Sequence, residues 1–166
     1  MSDARSHTLV WHDPSVGPKA ARSMAGIEYL RAMRDGSLPP PAFVTHLDLQ
    51  FEEVESGHVV FSALPQEFHL NPVGVVHGGF ASWLLDSALG CATLSLLPAG
   101  MVFTTLDLHV NFVRAITPAA GRLRGIGDVV HGGRTVVTSF GKILDDAGKL
   151  YAHATSTCMV LPWPSD

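Results

Sequence analysis

Between Asn71 and Asp86 the chain reads Asn-Pro-Val-Gly-Val-Val-His77-Gly78-Gly79-Phe-Ala-Ser-Trp-Leu-Leu-Asp. A polar turn leads into a His-Gly-Gly, and a strongly apolar segment carrying one carboxylate follows at once. Glycines opening a helix leave bare backbone N–H groups facing whatever docks there. The first N–H groups of a helix have no intrahelical partner, and the helix dipole adds partial positive charge. Such a place can hold a developing oxyanion. Asp86 follows Gly78 and Gly79 by eight and seven residues, about two helical turns. A carboxylate there is placed to act as base or nucleophile, or else to bond a neighbouring hydroxyl or backbone group. The chemistry this run points to is acyl transfer.

Four flanking groups are weighed with it. The Asn71 amide can orient a carbonyl or a water, or close an Asx turn before Pro72. The imidazole of His77 can serve as a base, though a His beside a helix start more often makes a local hydrogen bond. The stripe Ser82, Asp86, Gly90 and Thr93 falls on one helix face. It can line a cleft, with Gly90 leaving room for a substrate group, or form a close-packed seam. A second His-Gly-Gly, His131-Gly132-Gly133, precedes a β-branched strand and reads as a hairpin turn. No Gly-x-Ser-x-Gly, HExxH, P-loop or dinucleotide motif occurs, and the nine His show no metal-ligand spacing.

The elements that must position these groups follow from periodicity. A helix is expected over Ala20 to Arg34, ended by Gly36 and Pro39-Pro40-Pro41. Strands are expected over 43–53 and 58–64, and the long apolar helix over 78–97. After it come strands over 102–114, 122–130, 135–144 and 150–161. In the first of these, Val102, Leu106, Leu108, Val110 and Phe112 are the expected buried face, which turns Thr105 away from it. The expected architecture is α+β: five to six antiparallel strands around one long helix, with an extra N-terminal helix. Segment 1–40 reads as arm and helix, and 41–166 as the main domain.

Composition narrows the function classes. The 166 residues are 46% apolar and 16% charged with a net charge of −4, a globular composition with no bulk attraction for nucleic acid. No apolar run is long enough for a membrane span, and a cytoplasmic protein with two reduced thiols, Cys91 and Cys158, is the expectation. No Lys or Arg occurs between Arg34 and Arg114, and six of the eleven then fall between Arg114 and Lys149. These are solvated strand faces or a basic rim for a phosphate-bearing ligand.

Taken in order, Asn71…Gly74-x-x-His77-Gly78-Gly79…Asp86, then Thr105 to Arg114, then Gly133-Arg134-Thr-Val-Val, resembles the hotdog-fold acyl-CoA thioesterases, and within them the PaaI-like group of phenylacetic acid degradation. The likeness covers roughly 43–161. It implies a homodimer, often paired into a tetramer, with active sites at the interface. It implies that a Gly78 or Gly79 N–H polarises the thioester carbonyl, that Asn71 orients carbonyl or water, and that Asp86 arrives from the partner subunit. By the same likeness Thr105 positions water, and Arg114, Arg134 or Lys142 meets the CoA phosphates. No cofactor or metal is implied, CoA being part of the substrate. Two other expectations stay open: a non-catalytic acyl-CoA-binding sensor on the same fold, and a hotdog dehydratase.

Overall fold

The structure is a computed structural model, and it describes residues 3–164; residues 1, 2, 165 and 166, at the ends of the two expected segments, lie outside the described residues. Six strands form one wholly antiparallel sheet. They are β1 (Gln50–Glu55), β2 (His58–Ala63), β3 (Met101–Phe112), β4 (Leu123–Gly132), β5 (Val136–Leu144) and β6 (Leu150–Pro162). Their spatial order is β1-β2-β4-β5-β6-β3. Two short helices, α1 (Val16–Ala21) and α2 (Gly26–Arg34), precede the sheet, and α3 (Gly78–Leu94) lies between β2 and β3 in sequence.

The sheet curls around α3. Leu84, Leu85, Ala88, Leu89 and Ala92 of α3 are fully buried against β-sheet residues including Phe61, Leu123 and Ile143. Burying each Leu contributes about 1.5–3 kcal/mol. Close approach of helix and sheet depends on small residues in the strands. A Cβ on Gly127 of β4 would stand 2.5 Å from the Ala88 carbonyl, so the helix backbone itself occupies the space of a side chain. Tyr29, Leu30 and Met33 of α2 join the same core.

Four expected elements differ from the structure. The N-terminal helix is broken in two. The Gly26 amide donates to Leu97 O at 2.9 Å, and a Cβ there would stand 1.8 Å from Leu94 O. Docking on the end of α3 therefore overrides helix propensity at residues 22–25. Residues 42–46 form a 3₁₀ turn where a strand was expected. In that turn Phe43 and His46, three apart, both reach Trp83, with ring centroids 3.8 and 5.4 Å away. The long helix stops at Leu94, three residues early, with Leu96 and Leu97 amides bonded in a tightened last turn before Pro98. In β3, pairing with β6 skips Leu106: Thr105 opposes Cys158 and Asp107 opposes Thr157. This one-residue bulge reverses the faces. Leu106 is 56% exposed, while Thr105 turns toward α3.

The two sheet edges are unlike. β1 is six residues long, rich in Glu, and its Val54 carbonyl accepts two bonds from Arg31. β3 is twelve residues long and, among the described residues, pairs with β6 alone. A long, bare edge strand is a template for another strand.

Two predictions follow from this packing. Gly127→Ala is expected to lower stability by about 2 kcal/mol or more, read as a fall in the denaturation midpoint; a neutral result would contradict the close helix–sheet approach. His58 of β2 lies 2.6 Å from Asp128, which raises its pKa above the ordinary 6.5 against a smaller opposing effect of burial, with Glu53 and Glu55 adding to the rise. A raised folded pKa stabilises below the unfolded value and is lost as pH climbs through the folded one. Wild type should therefore exceed His58→Gln in Tm at about pH 5.5, with the gap shrinking by about pH 8.5; a gap constant across that range would count against the pair.

Candidate active site

The approach to α3 is fixed by backbone bonds. Gly74, at φ +87°, donates to Asn71 O and completes a turn. Val76 N–H donates to Ile116 O, and His77 N–H to His69 O. Asn71 Oδ1 accepts the Val73 and Val75 amides at 2.9 and 3.3 Å. Its carbonyl end is thus committed to the Asx turn. The amide plane is held, and among the described residues its NH₂ has no hydrogen-bond partner.

His77 caps α3. Its Nδ1 accepts the Gly79 N–H at 2.9 Å. This separates the two glycines: the Gly79 amide is occupied by the cap, whereas the Gly78 amide has no partner among the described residues. A neutral His supplying Nδ1 as acceptor leaves only Nε2–H outward. The Phe112 ring stands over Gly78, 3.2 Å from the point a Cβ would occupy. His77, Gly78, Phe112, Arg114 and Ile116 line one cleft of about 260 Å³. Arg114 is exposed there, with Nε on Leu150 O at 3.4 Å.

Asp86 faces β3 further along α3. Thr105 Oγ1 donates to its Oδ1 at 3.2 Å, and the carboxylate is exposed in the single chain. Sequence periodicity hid Thr105, because the bulge at Leu106 is invisible to a period-two count. Phe112 was expected in the core and instead is 58% exposed beside Gly78. Gly90 is buried, and Phe103 fills the space beside it, 2.8 Å from a would-be Cβ. It makes room for a side chain, not for a substrate group. Thr93, at the end of the stripe, is fully buried.

The basic residues do not gather in one chain. Arg134 sits in the β4–β5 turn, beside Met101 and Val160. Lys142 lies on β5 between Ile126 and His153. Arg114 alone shares a cleft with Gly78. On the other side of α3, burial and then the Asp86 charge push the Cys91 thiol up to about 12, so it stays protonated. Burial, then Cys91, raises the Tyr29 phenol.

Gly78 and Asp86 are separated by eight residues of one helix, about 12 Å. A carbonyl hydrogen-bonded to the Gly78 amide is out of reach of the same chain's Asp86. Both groups border the open β3 edge.

Because its Nδ1 is committed to the cap, His77→Ala is expected to cost about 1 kcal/mol of stability, a few degrees in Tm, with hydrolytic turnover of a thioester retained within about tenfold. His77→Asn, which can still cap, should recover the Tm. Loss of turnover in both variants with Tm intact would instead place the imidazole in the chemistry.

The sequence pattern of the thioesterase superfamily matches residues 73–152. The 1,4-dihydroxy-2-naphthoyl-CoA hydrolase of Escherichia coli is 28% identical over 137 residues, 81% of this chain and 94% of that protein. A Halobacterium salinarum protein is 43% identical over 65 residues, and the match spans 38% of this chain and 41% of that protein's length. Among solved structures, a phenylacetic acid degradation-related protein from Ralstonia eutropha superposes with a TM-score of 0.72 at 33% identity, covering 79% of this chain and 98% of that one. With a six-stranded sheet curled around a long helix that opens on His77-Gly78-Gly79, the chain belongs to the thioesterase superfamily of hotdog-fold thioester hydrolases.

Proposed function

We propose that the chain hydrolyses acyl-CoA thioesters as a homodimer, with each site assembled from two subunits. The observation that carries this reading is that the Gly78 amide, unpartnered among the described residues, and Asp86 lie eight residues apart on one helix, about 12 Å along its axis. Pairing two chains along the bare β3 edge brings Gly78 of one subunit toward Asp86 of the other. A second pairing of dimers into a tetramer fits the same likeness.

In this reading the thioester carbonyl accepts the Gly78 N–H, where the helix terminus stabilises the negative charge that develops on oxygen. Asp86 of the partner subunit works from the opposite side. Thr105 holds Oδ1, leaving Oδ2 to take a proton from water or to attack the carbonyl carbon. As base, Oδ2 accepts the proton while the water oxygen bonds to carbon; the C–S bond then breaks, and the proton passes to the CoA sulfur. The free NH₂ of Asn71 is available to orient the carbonyl or the water. Arg114, beside Gly78, is the basic residue best placed for a CoA phosphate; Arg134 and Lys142 would reach one only from another subunit. The reaction uses water and the chain's own groups.

Asp86→Asn should reduce kcat for thiol release by about 10²–10⁴-fold with CoA-ester binding retained. Retained binding with wild-type turnover would remove Asp86 from the chemistry. Subunit mixing tests the composite site. Asp86→Asn and Gly78→Val are each inactive on this reading, the latter because Val crowds Phe112. Co-expressed, they should restore about a quarter of wild-type activity, since half the dimers then carry one intact site. A mixture as inactive as its parents would show that each site lies within one chain.

A further inference from the structure

β3 has one edge unpaired among the described residues, and its two faces can be told apart residue by residue. Leu108 and Val110 pack against the core. Asp107, His109 and Asn111 alternate with them and are exposed. Neither the Asp107 carboxylate nor the His109 imidazole has a partner among the described residues. They stand two apart on one strand, about 7 Å, and do not bond each other.

Where two copies of β3 lie antiparallel, directly opposed residues share a face. Because the faces alternate, a two-fold axis must pass through a residue and not between two. The helix indicates which one. Asp86 stands at Thr105 and Gly90 at Phe103. Four helix residues, about 6 Å, therefore match two strand residues, about 7 Å. Helix and strand advance side by side in opposite directions. Eight helix residues, about 12 Å, then put Gly78 level with about Val110. That is four ladder steps from Thr105, the bulged Leu106 not being counted, and the Phe112 ring reaches back over Gly78. An axis that exchanges Thr105 with Val110 passes through Leu108.

The polar face selects the same residue. With the axis at Leu108, Asp107 of each copy faces His109 of the other, a carboxylate against an imidazole. On the core side Leu108 faces its own copy. An axis one residue earlier would oppose Asp107 to Asp107, which is destabilising. An axis one residue later would oppose His109 to His109 and Asp107 to Asn111. Of the three, the Leu108 axis alone gives the carboxylate an imidazole partner.

We infer that two copies join along β3 about a two-fold axis at Leu108, flanked on the outer face by two reciprocal Asp107–His109 contacts. The inference rests on the two-subunit thioesterase reading and goes beyond it in naming the residues that set the register. Moving the axis by one residue slides one copy past the other by two, about 7 Å. Asp86 of the partner subunit then leaves its place opposite Gly78. Asp107 and His109 are positioning residues: they act through this alignment, from the face turned away from the cleft.

The test is disulfide trapping in the full chain, with wild type as the control for Cys91 and Cys158. Directly opposed residues have Cβ atoms about 4.5–5.5 Å apart, close to disulfide range. Under mild oxidation Leu108→Cys should link to itself. His109→Cys alone should not, whereas co-expressed Asp107→Cys and His109→Cys should link to each other. The linked Leu108→Cys dimer should still release thiol from whichever of acetyl-, octanoyl-, palmitoyl- and benzoyl-CoA wild type hydrolyses fastest. In solution, Asp107→Lys should raise the dimer dissociation constant about tenfold, and adding His109→Glu should restore it. If Leu108→Cys fails to fold, the co-expressed pair and the charge exchange decide, since both residues are exposed. Self-linking of His109→Cys, no link between the opposed pairs, or no rescue by the charge exchange overturns the register while the thioesterase reading stands. Full turnover by a monomeric wild type would remove the two-subunit reading and this inference together.

Discussion

The structure depends on covering one helix. The seventeen residues of α3 are apolar on nearly every side, and water can be kept from such a helix only by something that curls around it. The antiparallel sheet does so with β2, β3, β4, β5 and β6, and Gly127 lets backbone meet backbone. The cover is incomplete beside β3, the last strand in the order. There Asp86 stays exposed, with Ser82 half-buried one turn before it. The side of the helix facing the open β3 edge is the side where its one carboxylate reaches solvent.

At the start of α3, the cap sets two adjacent amides apart. A helix terminus offers several unsatisfied N–H groups. His77 takes the second of them, and Ile116 and His69 carbonyls anchor the strand of chain leading in. What remains is one aimed donor, Gly78, over which Phe112 stands. A single fixed donor needs no reorganisation when charge develops on an oxygen, and this is the basis of electrostatic preorganisation.

Much of this was readable in the residues, and the reason is local. The cap, the glycines and the carboxylate belong to one helix, so their spacing in sequence is their spacing in space. The helix and the strands after it were readable from the same periodicity. What escaped depends on contacts between distant segments. The break at residues 22–25 is imposed by the carbonyls of Leu94 and Leu97. The 3₁₀ turn at 42–46 is held by Trp83, and the role of Gly90 is set by Phe103. Choosing between Gly78 and Gly79 required knowing which amide the His77 ring had already taken. The dispersal of Arg114, Arg134 and Lys142 was equally hidden, because alternation along a strand says nothing about which end of the sheet a residue occupies.

The extra residue in β3 divides that strand into two stretches of opposite phase. Before Leu106, odd-numbered side chains such as Phe103 and Thr105 look at the helix; after it, even-numbered ones such as Leu108 and Val110 do. Leu106 is therefore a frame marker. A descendant that lost it could keep every remaining strand bond and still exchange its inward and outward residues over half the strand. Matching this strand to one without the insertion, with no gap allowed, would record Thr105 as a surface residue. The hydroxyl's partnership with Asp86 would then vanish from the comparison, although both residues were retained.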